Sequence, residues 1–308
     1  MPKKKKPRKT ARKRTLLLPL LIVLFLFASL SAAVYFIFLG PGTFQESQKS
    51  TATLSQKPSI VYEEPVTEPE LPLIHPGAVK RKLLPKNQAF LAIVIDDIGY
   101  KKSTGSQLLD LDLPLSFAFL PFGPHTAPLL KKARQKNKAI LLHMPMEALD
   151  SKWDPGPGAL FTSMTRSEIQ KRTEAALQSV QPVVGINNHM GSRLTADKDA
   201  MESCLAVVKE KNLFFLDSLT SSDSIAYNLA GEMGLKTMKR DLFLDNIQDK
   251  KEIMKQLDSL ILLARKKGTA IGIGHPYQAT LEALRESEGK LLEQVTVVGI
   301  HQLIEYAP

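Results

Sequence analysis

Six short apolar segments of this 308-residue chain are each followed, within a few residues, by an aspartate or a histidine. Both residue types bind divalent metal ions and act as acids or bases, so together they indicate hydrolytic chemistry. A single one would be explained by a helix cap or by a hydrogen-bonded residue at a strand end. Six at equivalent places favour a common site, and the residues are Asp96 with Asp97, His125, His143, His189, Asp217 and His275.

The order of apolar and amphipathic segments predicts how these residues are positioned. Apolar strands without strict alternation, separated by helices, are typical of a parallel sheet covered on both faces, or of a barrel. In both architectures the carboxyl ends of the strands meet on one rim, where the aspartates and histidines would converge. We expect strands at 90–95, 115–120, 139–142, 183–186, 213–216, 236–238, 270–273 and 295–300, and helices at 126–137, 167–180, 199–211, 224–234, 251–267 and 279–286.

Several helix ends are marked by their capping residues. Thr165 with Glu168, and Asp249 with Glu252, have the spacing of a capping box at a helix start. Gly268 follows a basic cluster at the end of a helical pattern, so it is predicted to be a C-terminal cap.

A mixed set of carboxylates and imidazoles suits a divalent metal of borderline softness, and Zn²⁺ is the expected ion. Zinc takes three protein ligands at catalytic sites and leaves a fourth position for water. Such a water can have a pKa of about 7, which makes it a nucleophile at neutral pH. One carboxylate would then accept a proton, and one histidine would protonate the leaving group.

Five segments that carry these residues resemble, in order along the chain, the divergent polysaccharide deacetylases, which are distant relatives of the chitin and peptidoglycan deacetylases. The resemblance covers about residues 88–305. It implies an α/β fold, a distorted (β/α)7-type barrel of the glycoside hydrolase and deacetylase kind. The segments are 91–100 (LAIVIDDIGY), 142–147 (LHMPME), 185–192 (GINNHMGS), 215–218 (FLDS) and 272–276 (GIGHP).

The resemblance also implies roles for three of the candidate residues. Asp96 would be the catalytic base, Asp97 a metal ligand and His275 the general acid. Neighbouring residues of a strand point to opposite faces, so Asp96 and Asp97 require a bulge or turn before both can face one site. Gly99, two residues further on, favours such a turn.

Two departures from the family pattern concern the metal ligands. Ordinary members supply two metal histidines four residues apart, whereas His143 is followed at that spacing by Glu147. An Arg-Pro type motif after the fourth strand is replaced by Asn187-Asn188-His189. We therefore predict a metal site formed by Asp97, His143 and His189, with Glu147 as the alternative third ligand.

Four further residues are expected to support catalysis or bind the substrate. Asp217 would be catalytic, either by orienting the base or by contacting the substrate, and Arg240 would pair with it. His125, in a loop rich in proline and glycine, and Asn188 are predicted to line the substrate groove. Arg240 is also a predicted substrate contact, although a surface charge would explain it equally well.

The basic excess of the chain is confined to its first residues. Nine of the lysines and arginines behind the formal net charge of +10 lie in the first fourteen positions, which leaves about +1 for the remainder. Nucleic-acid binding would require a basic patch on the folded domain, so we expect no nucleic-acid partner.

A charge-free apolar run, 16–39, follows the basic tail 1–15. Its 24 residues would span about 36 Å as a helix, enough to cross a hydrocarbon core of about 30 Å. We expect an uncleaved anchor; a cleaved signal peptide is the alternative, because residues 31–33 are small. The basic flank should stay in the cytoplasm, which predicts a single-pass protein of a bacterial inner membrane. A proline-rich linker, 40–87, would tether an extracytoplasmic catalytic domain, 88–308.

These expectations combine into a metal-dependent hydrolase that removes acetyl groups from an envelope polysaccharide or its precursor. The altered metal motif motivates an alternative, a catalytically inactive deacetylase-like protein that binds a glycan or a partner. A third possibility is a phosphoesterase, which is disfavoured because the domain sequence has no glycine-rich phosphate loop and no basic cluster.

Overall fold

A computed structural model describes residues 84–305 of the chain. The predicted basic tail, the apolar run 16–39 and the linker up to residue 83 lie outside the described residues. Between residues 84 and 305, no helix is both long enough and apolar enough to cross a membrane. Leu84 already belongs to the folded domain, because its backbone N–H donates to the carbonyl of Arg265 at 2.8 Å.

The described residues form one sheet of nine strands, and every strand pair is parallel, as the apolar segments predict. The strand order is β6-β5-β4-β3-β2-β1-β8-β7, and β9 pairs with β1 beside this path. The strands are β1 (Phe90–Ile98), β2 (Ser116–Phe119), β3 (Ala139–Met146), β4 (Gly185–Met190), β5 (Phe214–Asp217), β6 (Thr237–Lys239), β7 (Leu242–Phe243), β8 (Thr269–Gly274) and β9 (Thr296–Val297).

Eight α-helices connect or follow these strands in the described part of the chain. They are α1 (Lys102–Leu109), α2 (Thr126–Gln135), α3 (Arg166–Val180), α4 (Lys198–Glu210), α5 (Ala226–Glu232), α6 (Lys250–Lys267), α7 (Gln278–Gln294) and α8 (Ile300–Leu303). Two short 3₁₀ helices, Lys86–Gln88 and Leu194–Ala196, complete the set.

The sequence pattern misses helices α1 and α8, and it ends β1, β3, β4 and α7 several residues too early. Helix α1 begins with Lys-Ser-Thr-Gly-Ser, a composition typical of a turn, so it was not predicted. Helix α7 continues to Gln294, eight residues beyond its predicted end. The last predicted strand, 295–300, is wrong in its second half, because Gly299 starts α8 and its N–H donates to the Gln302 side chain at 3.0 Å.

The predicted helix caps are present, with one difference. Thr165 and Glu168 form the reciprocal capping box of α3. Asp249 caps α6 by accepting from the N–H groups of Lys251 and Glu252, but the Glu252 carboxylate pairs with a lysine one turn further on instead of returning to the cap. Gly268 ends α6 with a φ of 95°, a conformation that glycine adopts without strain.

Successive residues of β1 face two different hydrophobic cores, as expected for a strand buried on both sides. Leu91, Ile93 and Ile95 pack in the larger core, which the helices share. Ala92 and Val94 pack in a smaller core, which contains residues from seven strands together with α8. The smaller core therefore fills the concave side of the sheet. A side chain that continues the same alternation along a strand faces that side too.

The sheet curls because its two ends belong to one stretch of chain. Strands β6 and β7 stand at opposite ends of the strand order, yet only Arg240 and Asp241 separate them. The Arg240 N–H donates to Asp217 O on β5 at 3.0 Å, and the next N–H, of Asp241, donates to Ile271 O on β8 at 2.9 Å. Eight flat strands would span about 34 Å, whereas three Cα steps cover at most about 11 Å. The result is a curled half-barrel of parallel strands.

The side chain of Asp241 stabilises the point where the chain changes neighbours. Its carboxylate accepts the Ile271 N–H at 2.8 Å and a Lys267 ammonium hydrogen at 2.8 Å. Asp241→Ala leaves the Ile271 N–H without this acceptor, so we expect the free energy of unfolding to fall by about 1–3 kcal/mol in a urea titration. Asp258→Ala, which removes an exposed ion pair with Lys290, is the matched control and should change it by less than about 1 kcal/mol. Equal effects of the two substitutions would contradict the assignment.

Candidate active site

A bulge at the end of β1 brings two neighbouring aspartates to the same rim. Ile95 pairs with Phe117 and Ile98 pairs with Phe119, so β1 has one residue more than β2 over this interval. The extra residue is accommodated at Asp97, whose φ of 56° lies in the left-handed region. The predicted bulge is therefore present, and Asp96 keeps the phase of the concave core while Asp97 is turned towards the same site.

Three side chains at the carboxyl ends of β1, β3 and β4 meet in this bulge. His189 Nδ1 lies 3.0 Å from Asp97 Oδ1, and His143 Nε2 lies 3.4 Å from the same oxygen. All three side chains are almost completely buried. The structure thus brings together the three residues that the sequence predicts as metal ligands.

The electrostatics of this cluster favour a charged carboxylate. Burial alone would raise the pKa of Asp97, but the neighbouring imidazoles of His189 and His143 outweigh it, with a further contribution from His275. The pKa of the Asp97 carboxyl is consequently held well below its usual range. Asp97 is therefore an anion at neutral pH, as a metal ligand has to be.

The spacing of the donor atoms fits a tetrahedral metal ion. Zinc binds histidine nitrogen and carboxylate oxygen at about 2.0–2.2 Å, which places two ligands of a tetrahedral site about 3.3 Å apart. The two observed separations from Asp97 Oδ1 are 3.0 and 3.4 Å, and the candidate ligand atoms of the three residues all lie within 4.8 Å of one another. One carboxylate and two imidazoles would leave a position for water or substrate.

Asp96 lies directly beside this cluster and is held by an amide. Its Oδ2 is 3.7 Å from His143 Nε2. The side-chain nitrogen of Asn187 donates to both Asp96 oxygens at 2.9 Å, and the Asn187 carbonyl oxygen lies 3.0 Å from His143 Nδ1. Asp96 is therefore fixed next to the metal ligands, in a position to accept a proton.

His275, at the end of β8, is oriented by a buried aspartate. Its Nδ1 lies 2.8 Å from Asp245 Oδ1, and its backbone N–H donates to Asp245 Oδ2 at 2.6 Å. The Thr280 hydroxyl donates to the same Oδ2 at 2.6 Å. These contacts place the proton of the neutral imidazole on Nδ1 and leave Nε2 as the nitrogen available for proton transfer.

Sequence reasoning did not identify Asp245. It follows β7, which is only two residues long, so the apolar segment before it is too short to be read as a strand. The usable signal is the same one that marks the other site residues, an aspartate immediately after the apolar triplet 242–244.

Two predicted site residues, Asp217 and Asn188, lie on the opposite side of their strands from the cluster of Asp97, His143 and His189. Leu216 belongs to the concave core, so the adjacent Asp217 points away from it, towards the loop after β5. Asp217 accepts hydrogen bonds from the N–H groups of Leu219 and Tyr227 and from the Ser224 hydroxyl. Burial raises the pKa of this carboxyl, while these hydrogen bonds oppose the rise. Asp217 thus holds a loop of the rim.

Asn188 and Arg240 also hold that loop. Asn188 Oδ1 accepts the Ser218 N–H at 2.9 Å, and its Nδ2 donates to Met190 O at 2.8 Å. Arg240 is buried over the Phe243 ring, and it donates to the carbonyls of Ser218 and Leu219 at 2.7 and 2.9 Å. Arg240 and Asp217 therefore hold the same loop of the rim.

His125 lies where the sequence places it, in the loop between β2 and α2 on the same rim. It is partly exposed, and its backbone N–H donates to Gly99 O at 2.8 Å, which ties this loop to the end of β1. Phe122 in the same loop is half exposed, at 51 %. Both residues lie in the loop that follows β2 on this rim.

The rim residues described above occur in a sequence pattern that is shared with other proteins. A family model described as divergent polysaccharide deacetylase matches residues 93–304. The chain belongs to the divergent polysaccharide deacetylase family. The resemblance stated from the sequence is confirmed. The matched residues include Asp97, His143 and His189, and also Asp96, His275 and Asp245.

Two curated relatives support the same membership. The chain is 37 % identical over 214 residues to the uncharacterized protein YibQ of Escherichia coli (strain K12), covering 70 % of this chain and 67 % of YibQ. It is 35 % identical over 216 residues to an uncharacterized protein of Haemophilus influenzae, covering 70 % of this chain and 77 % of that protein.

A solved structure supports the fold of the divergent polysaccharide deacetylase domain. The crystal structure of the uncharacterized protein ATU2773 from Agrobacterium tumefaciens C58 has a TM-score of 0.66 at 24 % identity. The similarity covers 70 % of this chain and 89 % of that chain. At this level of identity the likeness concerns the arrangement of strands and helices.

Glu147, the alternative ligand predicted from the sequence, is engaged elsewhere. Its Oε2 accepts hydrogen bonds at 2.7 Å from both the N–H and the hydroxyl of Thr162, and its Oε1 lies 3.5 Å from Arg193 Nε. His189, supplied by β4, occupies the place beside Asp97 instead. Among residues 84–305, the group of side chains that could hold a metal ion is Asp97, His143 and His189.

Metal content tests this assignment. Wild-type protein purified without added metal should contain about one equivalent of divalent metal, and His143→Ala, His189→Ala and Asp97→Ala should each lose it, because three ligands are needed to hold the ion. His301→Ala, which alters an exposed histidine on α8, is the matched control and should retain the metal. The measurement is inductively coupled plasma mass spectrometry after dialysis. Full metal content in the three ligand variants would exclude this site.

Proposed function

We propose that this divergent polysaccharide deacetylase is an active metal-dependent hydrolase that removes acetyl groups from a polysaccharide. The observation that carries the proposal is the buried cluster of Asp97, His143 and His189, with Asp96 on one side and the His275–Asp245 pair on the rim. A donor set of one carboxylate and two imidazoles supports Zn²⁺ as the resident ion.

A divalent cation in this site would polarise the acetyl carbonyl and make water nucleophilic near neutral pH. Asp96, held by the Asn187 amide, would accept the proton of the attacking water. His275 would donate a proton from Nε2 to the departing amine or alcohol. The Asp245 carboxylate keeps His275 supplied with the proton that it donates, because it stabilises the positive charge of the protonated imidazole.

The proposal assigns the curled sheet to the (β/α)7-type barrel of the deacetylases. Strands β6 and β7 would then count as one strand that changes its neighbour at Arg240 and Asp241. This leaves seven strands around the concave core, with β9 as an addition beside β1.

The proposed substrate is an N-acetylated or O-acetylated glycan of the cell envelope or a precursor of one. Membership in the polysaccharide deacetylase family supports this class of substrate. The partly exposed His125 and the half-exposed Phe122 ring would contact the sugar at the entrance, since aromatic rings offer apolar faces of suitable size.

Acetate release tests the proposal. The zinc-loaded wild-type protein should release acetate from acetylated chito-oligosaccharides, and Asp96→Asn and His275→Gln should lower kcat by about 100- to 10,000-fold, because each removes a proton-transfer group. Both variants should keep their metal. Asp223→Asn and His301→Gln, which change exposed residues of the same types, should leave kcat unaltered. Metal-loaded protein that binds acetylated glycans without releasing acetate would identify the inactive glycan-binding alternative.

We also propose that the domain works outside the cytoplasm, as part of a single-pass inner-membrane protein with its N-terminus inside. Support comes from the sequence of residues 1–39, a basic tail followed by a charge-free apolar run. Alkaline phosphatase fused after Pro308 should be active in cells, because this reporter folds only outside the cytoplasm, and deletion of residues 16–39 should abolish its activity. An inactive fusion to the full chain would contradict this location.

A further inference from the structure

Asn187 is a buried polar residue for which the sequence motifs predict no role, and it is not one of the three candidate metal ligands. It lies on β4 directly opposite His143 on β3, and none of its surface is exposed. Its side chain shares the concave side of the sheet with His143, because both residues are in phase with the smaller core. A buried amide is stable only when its donors and acceptor are all bonded, so its partners define what it does.

The partners of Asn187 fix which way its amide points. The nitrogen lies 2.9 Å from both oxygens of Asp96 and 3.1 Å from Ser218 Oγ. A carboxylate accepts hydrogen bonds, so the atom facing Asp96 has to be the NH₂ group rather than the carbonyl oxygen. The carbonyl oxygen therefore faces His143 Nδ1, at 3.0 Å.

This orientation also fixes the tautomer of His143. A carbonyl oxygen can only accept, so the proton of the neutral imidazole has to be on Nδ1. Nε2 then carries the lone pair, and Nε2 is the atom that lies 3.4 Å from Asp97 Oδ1. In His189 the nitrogen nearest Asp97 is Nδ1, so the two histidines present different nitrogens to the site.

We infer that Asn187 is a positioning residue that couples the metal ligand His143 to the base Asp96. One planar amide holds the imidazole in its metal-binding tautomer with its oxygen, and holds the carboxylate beside the metal with its nitrogen. The His143 imidazole and the Asp96 carboxylate are thereby kept at one fixed separation. The inference rests on the proposed function, because it assigns Asn187 a purpose within that reaction.

Two substitutions separate the two ends of the amide. Asn187→Asp keeps an oxygen acceptor for His143 but replaces the donors to Asp96 with a second carboxylate. We expect its zinc dissociation constant to stay within about threefold of wild type, because the remaining oxygen still accepts from His143 Nδ1 and so keeps the imidazole oriented. Its acetate release should fall at least about 100-fold, because Asp96 loses its donor and faces a like charge.

Asn187→Ala removes both ends of the amide. Zinc binding should weaken by about 10- to 100-fold, the usual effect of losing the group that orients a ligand histidine, and acetate release should be lost as well. Asn228→Asp, an exposed change of the same type on α5, is the matched control and should alter neither quantity by more than about twofold. Zinc affinity is measured by competition with a chromophoric chelator, and thermal melting of each variant shows whether it is folded.

A spectroscopic measurement on the wild-type protein makes the inference independent of these variants. Long-range ¹H–¹⁵N spectra of the zinc-loaded protein should show His143 protonated on Nδ1 and bound through Nε2, with His189 bound through Nδ1. A proton on His143 Nε2, or equal acetate release by Asn187→Asp and wild type, would overturn the coupling role. Failure of the proposed function is seen separately, as wild-type protein that binds no zinc or releases no acetate.

Discussion

The structure depends on one constraint at the end of β1: two adjacent carboxylates have to serve a single site. A regular strand would turn Asp96 and Asp97 to opposite faces, and only the bulge lets both act together. With Asp97 rotated into the left-handed region, its carboxylate reaches the imidazoles of β3 and β4. Asp96, which keeps the strand phase, contacts the amide of Asn187 instead. The contacts of the three neighbouring side chains, the two imidazoles and the Asn187 amide, follow from this local irregularity.

Backbone strain is concentrated on the same rim. Six residues other than glycine have a positive φ among those described, and four of them, Asp97, Phe122, Met190 and Leu219, lie at or just after the carboxyl ends of β1, β2, β4 and β5. The other two are asparagines, which tolerate this conformation. For Phe122, Met190 and Leu219 this backbone conformation costs about 1–2 kcal/mol each, and the hydrogen bonds that hold the rim loops offset the cost. The backbone conformation at the rim is therefore less favourable than that of the helices and strands that support it.

Much of the fold could be predicted from short-range patterns, and the grouping of Asp97, His143 and His189 could be predicted from these patterns together with the family resemblance. Each apolar segment identifies a strand, and an aspartate or histidine after it lies on the common rim. The side-chain phase of each strand was the missing step. Leu216 packs in the concave core, so the adjacent Asp217 faces the other way, and Asn188 pairs with Met144, which packs in the larger core. Asn187 and Asp245 were missed for different reasons. An amide gives no chemical signal by itself, and the strand before Asp245 is too short to recognise.

Arg240 and Asp241, through which the chain passes from β5 to β8, also determine what the ends of the sheet offer for pairing with other molecules. A parallel sheet normally ends in two long edges whose free N–H and C=O groups can recruit strands from other molecules. Here the outermost strands are three and two residues long and continuous with each other. Neither offers more than a short row of backbone groups to an added strand, so both ends of the strand order are poor templates for edge-to-edge pairing.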